Sequence, residues 1–189
     1  MNNLKEKASL TIKEVIEQRR SIKKFKKDNV PTELVLDLLN TAVWAPNHGL
    51  REPWRFILLK DEGRKVLADA ILKKNEELRP KWEYVMNVPL HLVVVMKEDP
   101  RQKQWEENFA AVCTMVQNLQ LAGWEQGIGM IWKTNPLIHD PNFREKVGVQ
   151  QGEKIIGFLH IGYPDAIPNG KDRTPAEELL MIIDTDTAI

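Results

Sequence analysis

Gln104 to Thr134 reads QWEENFAAVCTMVQNLQLAGWEQGIGMIWKT, and this stretch decides the predicted fold. As far as Glu125, small and apolar residues recur three or four positions apart, which is the spacing of one helical face. They are Phe109, Val112, Val116, Leu119 and Gly123. Gly127–Gly129 ends this helix, and Met130–Lys133 predicts a strand. Because the apolar stripe is wide, the helix is expected to cross a core or a subunit interface.

Apolar runs on both sides of this stretch predict the rest of a sheet. Leu90–Met96 is a mostly apolar run, which is typical of a central strand covered on both faces. Further strands are predicted at Trp54–Leu59, Lys154–Gly162 and Glu178–Ile183. Helices are predicted over Thr11 to about Ser21, from near Pro31 to a stop before Ala45, over Asp61 to about Leu78 and over Asp140 to Val147.

The order of these elements predicts one α+β domain over residues 1–189, with a mostly antiparallel central sheet flanked by helices. No helix follows the last predicted strand, Glu178–Ile183, so in a monomer it would be an exposed apolar edge. It also follows a polar arm, Pro168 to Pro175. We therefore expect this strand to reach another molecule.

Composition excludes several classes of function. The chain has 27 basic and 27 acidic residues, so nothing points to nucleic acid or to a basic membrane face. Its single cysteine, Cys113, cannot form an internal disulfide or a cysteine-rich metal centre, and no metal site is predicted. The longest apolar runs fall short of the roughly 20 residues of a membrane span, and the first residues do not resemble a signal peptide. A cytoplasmic protein is expected.

Two basic clusters are candidates for binding a phosphate. Arg19-Arg20-Ser21 closes the first predicted helix, and a guanidinium fork beside a hydroxyl suits phosphate oxygens. Lys171-Asp172-Arg173 lies in the polar arm. From the residues alone, cations at a helix C-terminus and a solvated turn are the more ordinary explanations, so neither cluster is specific by itself.

Aromatic and polar residues gather at two further places. Trp44 and His48 stand in a loop with proline and glycine, and side chains in such loops often face a ligand. A buried aromatic cluster is the alternative for Trp44 and Trp54. Trp132-Lys133-Thr134 follows a predicted strand and is expected to place a flat ring, a cation and a hydroxyl side by side.

Five short motifs follow one another along the chain. They are Arg-Arg-Ser-x-Lys from Arg19, Ala-Pro-x-His from Ala45 with Pro-Trp-x-Phe from Pro53, Gly-x-Gly-x-x-Trp-Lys-Thr from Gly127, Gly-Tyr-Pro from Gly162 and Lys-x-Arg-x-Pro from Lys171. Each motif is weak alone, but the set in this order spans almost the whole chain. In that order they resemble the nitroreductase family, and most closely its small single-domain bacterial members.

The resemblance implies an intertwined homodimer that holds one FMN in each of two interface sites. Carried over position by position, the expected FMN-binding residues are Arg19, Arg20, Ser21, Lys23, Trp44, His48, Trp132, Lys133, Thr134, Lys171 and Arg173. Arg19, Ser21 and Arg173 would meet the phosphate and the ribityl chain. Lys23 would stabilise negative charge near N1 and O2 of the reduced flavin. Trp44 and His48 would reach the FMN of the partner subunit.

A second set of residues is expected to meet the nicotinamide nucleotide. By resemblance these are Ala122, Gly123, Trp124, Glu125, Gln126 and Gly127. No Gly-x-Gly-x-x-Gly opens a βαβ unit, which argues against a Rossmann fold, but NAD(P)H can stack on the flavin and leave. The sequence departs from the family pattern Asn-x-Gln-Pro-Trp at Leu50, and His48 is expected to take over the missing amide contact.

The implied activity is that of an FMN-dependent oxidoreductase. NAD(P)H would reduce the flavin, and a planar electron-poor acceptor such as a nitroaromatic or a quinone would reoxidise it in a ping-pong sequence. No side chain need act as acid or base, so no catalytic residue is predicted; His91 and His160 are interpreted as structural. The alternatives are reductive dehalogenation or flavin breakdown, a flavin-binding dimer without turnover, and a dimerisation domain without a ligand.

Overall fold

The computed structural model describes residues 10–73 and 75–183, so the predicted domain range 1–189 includes residues outside it. The helices are α1 (Ile12–Gln18), α2 (Thr32–Ala42), α3 (Lys65–Leu72), α4 (Arg79–Asn87), α5 (Gln102–Glu125) and α6 (Pro141–Lys146). The strands are β1 (Lys24–Phe25), β2 (Trp54–Lys60), β3 (Leu90–Lys97), β4 (Gly129–Lys133), β5 (Glu153–Gly162) and β6 (Pro164–Ala166). Four strands form the main sheet, and β1 with β6 forms a small second one.

The main sheet has the order β2-β3-β5-β4, and every neighbouring pair is antiparallel. Leu90–Met96 in β3 is buried throughout, which confirms the predicted central strand. In β5, Gly157 lies beside a bulge and passes directly under Trp132; a Cβ there would come within 2.2 Å of Trp132 Nε1. Only glycine fits at this close approach.

Helices cover both faces of the main sheet. Alternate residues of a strand point to opposite faces, so β3 sends Leu92 and Val94 to one side and Val93 and Val95 to the other. On the first side α2 and α5 complete the core, and on the second side α3, α4 and α6 do so. This layered arrangement confirms the predicted α+β fold with an antiparallel sheet flanked by helices.

The long helix α5 is confirmed, and it buries four of the five predicted stripe positions, Val112, Val116, Leu119 and Gly123. The residues that it buries are Asn108, Ala111, Val112, Met115, Val116, Leu119, Gln120 and Gly123. Phe109, the remaining position of the stripe, is 38% exposed and stacks on Trp105, with ring centroids 5.4 Å apart. Phe109 therefore lies outside the core of the single chain, and its alternative place at a subunit interface stays a prediction.

The helix predicted over Asp61 to Leu78 is wrong in its extent. The described residues there form a short 3-10 turn, α3 and a second 3-10 turn, while Lys74 lies outside the described chain. A further helix that the sequence did not predict, α4, follows. Pro80 lies in the first turn of α4, where its fixed φ and missing N–H are tolerated, but inside one long helix it would have broken the hydrogen bonds.

The last predicted strand, Glu178–Ile183, does not form within the single chain. Ala176–Glu178 is a 3-10 turn, and Leu179–Ile183 has no regular structure. The five apolar side chains from Leu179 to Ile183 are between 65% and 81% exposed. A strand is stabilised by pairing with a neighbour, and no described element of this chain pairs with the segment.

Two histidines form a buried pair between β3 and β5. His91 Nε2 lies 3.1 Å from the carbonyl of Val85 and must carry a proton to donate to it, which leaves Nδ1 of the neutral ring as an acceptor. His160 Nδ1, 2.6 Å away, then donates to His91 Nδ1. Burial lowers the pKa of His91 to about 4 and also lowers the pKa of His160, because both charged forms are desolvated. The pair is therefore neutral and structural, in keeping with the prediction from sequence.

We expect this pair to make stability depend on pH. Each histidine has a lower pKa in the folded chain than the value of about 6.5 in the unfolded chain, so the unfolded chain binds more protons in acid. The free energy of unfolding should be constant above about pH 7 and should fall below about pH 6.5, by up to about 1.4 kcal/mol per pH unit for each histidine. Urea titrations between about pH 7.5 and 4.5 measure this, above the range where most carboxylates titrate.

The matched variants are His91→Leu with His160→Leu, and His139→Asn, because His139 is exposed. The double variant should flatten the pH dependence and the exposed control should not. A wild-type slope of zero between about pH 6.5 and 4.5 would contradict the neutral pair.

Candidate functional site

A cationic cleft of about 730 Å³ lies between the end of α1 and the polar arm that follows β6. Six of its lining side chains are cations and one, Glu17, is an acid. The cations are Arg19, Arg20, Lys23, Lys24, Lys171 and Arg173. The structure thus brings together Arg19-Arg20-Ser21 and Lys171-Asp172-Arg173, the two clusters that the sequence singled out.

Local structure explains why the first cluster stands at the cleft. Thr11 and Glu14 form the predicted capping box, with Thr11 N donating to Glu14 Oε2 at 2.8 Å, and α1 then runs to Gln18. Arg19 follows with φ −53° and ψ 133°, so the backbone leaves the helix at that residue. Ser21 pairs in parallel with Met130, and Ile22 N donates to the Met130 carbonyl at 3.1 Å. The cations therefore stand beside β4, an edge strand of the main sheet.

The second cluster is held by the small sheet. β1 pairs with β6, which carries the chain to Ile167–Asn169 and on to Lys171 at the cleft wall. Gly170 packs so closely against Arg20 that a Cβ would lie 2.3 Å from its Nη2. Arg20 Nη1 also donates to the carbonyls of Glu17 and Arg19, at 2.7 and 3.0 Å. Arg20 therefore ties the two walls together.

The cations of the cleft crowd one another. Burial lowers the pKa of Arg19, and the positive charges of Arg20 and Arg173 lower it further. In the part of the chain that the structure describes, no ion pair joins any of the six cations to a carboxylate. Glu17 is the one acidic residue in the lining, and its Oε1 lies 3.9 Å from Nζ of Lys13, which does not line the cleft. A polyanion would relieve this repulsion, and guanidinium forks with a hydroxyl suit a phosphate.

The loop that carries Trp44 and His48 does not line this cleft. Trp44 is 87% exposed and Leu50 is 82% exposed. Leu50 and Glu52 have positive φ angles, 48° and 43°, and Glu52 precedes proline. Such conformations cost about 1–3 kcal/mol each and persist only where surrounding contacts fix them. The alternative of a buried aromatic cluster holds for Trp54, which packs on the core, and not for Trp44.

The predicted Trp132-Lys133-Thr134 surface is wrong in its geometry. Trp132 pairs with Leu159 and packs on the core shared with α5, whereas Lys133 pairs with Phe158 on the other face of the sheet. Successive strand residues must alternate in this way, so the ring and the cation cannot stand side by side. Trp132 Nε1 is buried without a hydrogen-bond partner among the described residues, directly above Gly157.

The predicted nicotinamide region, Ala122 to Gly127, forms the end of α5 and also lies off the cleft. Gly123 is buried, and a Cβ there would come within 2.5 Å of the Met130 methyl group, so its role is packing. Ala122, Glu125 and Gln126 line a separate hollow of about 410 Å³ with α1 and α2. Trp124 is half-buried, and Gly127 is exposed at the turn.

Sequence reasoning missed Lys24 and the stretch Ile167–Asn169 as parts of the cleft wall. Lys24 was adjacent to a predicted site residue, but its direction depends on β1, a two-residue strand without a sequence signal. Within residues 10–73 and 75–183 there is neither a cluster of potential metal ligands nor a helix long and apolar enough to span a membrane.

Comparison with known proteins agrees with the fold. Residues 16–163 match the family model described as the Nitroreductase family. The Bacillus subtilis (strain 168) protein YfhC, provisionally named an NAD(P)H nitroreductase, is 38% identical over 177 residues, which cover 88% of this chain and 91% of YfhC.

Two solved structures extend the comparison. A nitroreductase-like family protein from Bacillus cereus superposes with a TM-score of 0.86 at 44% identity, covering 93% of this chain and 97% of that one. An iodotyrosine deiodinase bound to FMN and 3-iodo-L-tyrosine superposes with a TM-score of 0.71 at 23% identity, covering 94% and 100%. The second similarity is one of fold.

Proposed function

Because this chain belongs to the nitroreductase family, we propose that it is an FMN-dependent oxidoreductase that takes hydride from NAD(P)H and reduces planar, electron-poor acceptors. The observation that carries the proposal is the cationic cleft, where six cations face one carboxylate. Nitroaromatics and quinones are the proposed acceptors. A location in the cytoplasm stays a prediction.

The residues of the cleft fit FMN. A volume of about 730 Å³ is within the usual range of about 300–1,000 Å³ for small-molecule sites. Arg19 and Arg173 provide guanidinium forks and Ser21 provides a hydroxyl, which suit a phosphate and a hydroxylated chain. Arg19 is partly buried and is repelled by Arg20 and Arg173, so a bound phosphate would stabilise its charged form. When bound, FMN supplies the hydride chemistry itself.

The remaining cations balance the charge of the cofactor and fix its position. Lys23 follows Arg19 and Ser21 along the same wall and offers an ammonium group for the ring end of the cofactor, where it favours the more negative, reduced form. Lys171 and Arg20 brace the phosphate end. Arg20 does so through its two backbone hydrogen bonds and its packing on Gly170. None of these proposed roles requires the transfer of a proton.

We further propose a homodimer with exchanged C-terminal segments. Among the described residues, β2 pairs on one side only, with β3. Beside its open edge an apolar hollow of about 450 Å³ is lined by α2 and by Trp54, Phe56 and Leu58. The exposed apolar segment Leu179–Ile183 matches this hollow in chemistry, and a strand from a second copy would satisfy the edge. Trp44 and His48 do not line the cleft of their own chain. In this dimer they would contact the FMN that is bound by the partner subunit.

The purified protein is expected to test this function directly. It should show flavin absorbance that NADH or NADPH bleaches without oxygen and that a quinone or a nitroaromatic restores. If both substrates use one open flavin face in turn, double-reciprocal plots at several acceptor concentrations should be parallel, and a flat inhibitor such as dicoumarol should compete with NAD(P)H.

The other outcomes separate the alternatives. Intersecting plots would mean a ternary complex and would contradict the shared face. Flavin that NAD(P)H does not reduce would indicate a binding dimer, and a colourless protein that does not take up FMN would leave only a dimerisation domain. Release of iodide from 3-iodotyrosine faster than reduction of any quinone would favour dehalogenation, which the fold shared with the deiodinase keeps as the second candidate.

A further inference from the structure

The strained loop Asn47–Glu52 is fixed by two sets of hydrogen bonds. Within the loop, Asn47 Oδ1 accepts from Glu52 N at 2.9 Å, and Asn47 Nδ2 donates to the Ala45 carbonyl at 3.2 Å. Outside the loop, Arg51 Nε donates to Asn108 Oδ1 at 2.9 Å and Arg51 Nη2 donates to Glu107 Oε2 at 2.6 Å. Arg51 is thus the side chain that joins the loop to α5.

This connection reaches the rigid centre of the fold. Asn108 is buried and donates through Nδ2 to the carbonyl of Lys97, at the end of β3, at 3.3 Å. The side chains of Arg51 and Glu107 are only 29% and 22% exposed, so their ion pair is better ordered than a pair on an open surface. The loop therefore takes its position from α5 and β3.

In the loop conformation that these hydrogen bonds fix, the apolar side chain of Leu50 is exposed. Leu50 is placed in the left-handed region, where leucine is rarely found, and it remains almost fully exposed. It gains no burial in the described chain that would offset the unfavourable backbone angle. His48 and Trp44, also exposed, stand in the same loop region. A strained backbone that presents an exposed leucine points to a ligand contact.

We propose that Arg51 is a positioning residue, which through Glu107 and Asn108 fixes the loop so that Leu50 forms a wall against which an uncharged planar acceptor binds. The inference rests on the proposed function and on the proposed dimer, where this loop faces the partner's cleft. Leu50 has no hydrogen-bonding group, so the wall favours uncharged rings over polar or anionic acceptors of the same size. It determines specificity at the acceptor end of the site.

The test is steady-state kinetics on the flavin-loaded protein with Arg51→Met. The KM for menadione, an uncharged quinone, should rise about fivefold or more, while kcat stays within about twofold. The turnover of ferricyanide, which needs no stacking wall, should also stay within about twofold. Arg51→Lys should restore part of the loss. Lys103→Met is the matched control, because Lys103 is the other cation near Glu107, at 3.9 Å, and is largely exposed.

A second variant keeps the proposal testable if Arg51→Met fails to fold. Leu50→Gly preserves the left-handed backbone, which glycine adopts without steric cost, and removes only the apolar side chain. It should raise the KM for menadione without changing ferricyanide turnover or thermal stability. An unchanged menadione KM in both variants, or equal losses for menadione and ferricyanide, would overturn the positioning role. A wild-type protein that NAD(P)H does not reduce would overturn the proposed function as well.

Discussion

Removal of residues 176–189 is expected to convert a flavin-loaded dimer into a flavin-free protein that aggregates. The described part of this segment, Leu179–Ile183, exposes five apolar side chains, and β2 keeps an open edge beside an apolar hollow. If each chain covers the other's edge, deletion exposes both hollows at once and removes an interface of a kind that commonly buries more than about 2,000 Å². Light scattering after size-exclusion chromatography, with absorbance recorded at the flavin wavelength, measures both losses.

Point variants make this deletion more specific. Leu180→Asp and Ile182→Asp place a charge on the segment that should enter the hollow, and each should weaken the dimer strongly. Glu177→Gln changes a residue within the deleted stretch 176–189 without removing apolar surface, and it should leave the dimer intact. A truncated protein that remains an unaggregated, flavin-loaded monomer would contradict the exchanged architecture.

The second large effect is expected at the phosphate end of the cleft, where Arg19→Ala should weaken FMN binding by at least about tenfold. Each hydrogen bond to a charged partner contributes about 1.5–3 kcal/mol, and an arginine fork can make two of them. The substitution also removes the positive charge of Arg19, which is partly buried and repelled by Arg20 and Arg173, so the free protein should not be destabilised. Fluorescence titration of the apoprotein with FMN measures the dissociation constant.

Two variants frame this result. Arg19→Lys keeps the charge and loses the fork, so its affinity should lie between those of the wild type and Arg19→Ala. Lys26→Ala removes a nearby cation that does not line the cleft and should change the affinity little. Equal affinity of Arg19→Ala and the wild type would remove Arg19 from the site.

The central part of the fold is predictable because each signal there is local and strong. Leu90–Met96 is apolar throughout except for His91, and a strand with that pattern must be covered on both faces. The capping box of Thr11 and Glu14 likewise specifies where α1 begins. The resemblance then selected two basic clusters that are far apart in sequence, and the structure shows that they line one cleft.

Other features depend on interactions that a sequence pattern does not contain. Leu179–Ile183 has strand-forming residues, but a strand requires a partner, and none of the described elements supplies one. Trp132 and Lys133 are adjacent in sequence and therefore on opposite faces of β4. The positive φ of Leu50 contradicts the preference of leucine, and it lies next to Arg51, whose contacts with α5 are long-range and leave no local sequence signal. Each of these departures lies where the sequence predicted an exchanged segment or a binding site.

The open edge of β2 also bears on how the protein assembles. In the proposed dimer each chain would cover the edge of β2 that is unpaired among the described residues of the other, so the yield of native protein should depend on chain concentration during folding. Mutual exchange uses the same surface on both copies and closes at two by two-fold symmetry. If a tail instead enters a third chain, the exchange remains open at both ends and can propagate. If the proposed exchange occurs, the length and stiffness of the polar arm from Pro168 to Pro175 should govern the choice between a closed pair and a growing polymer.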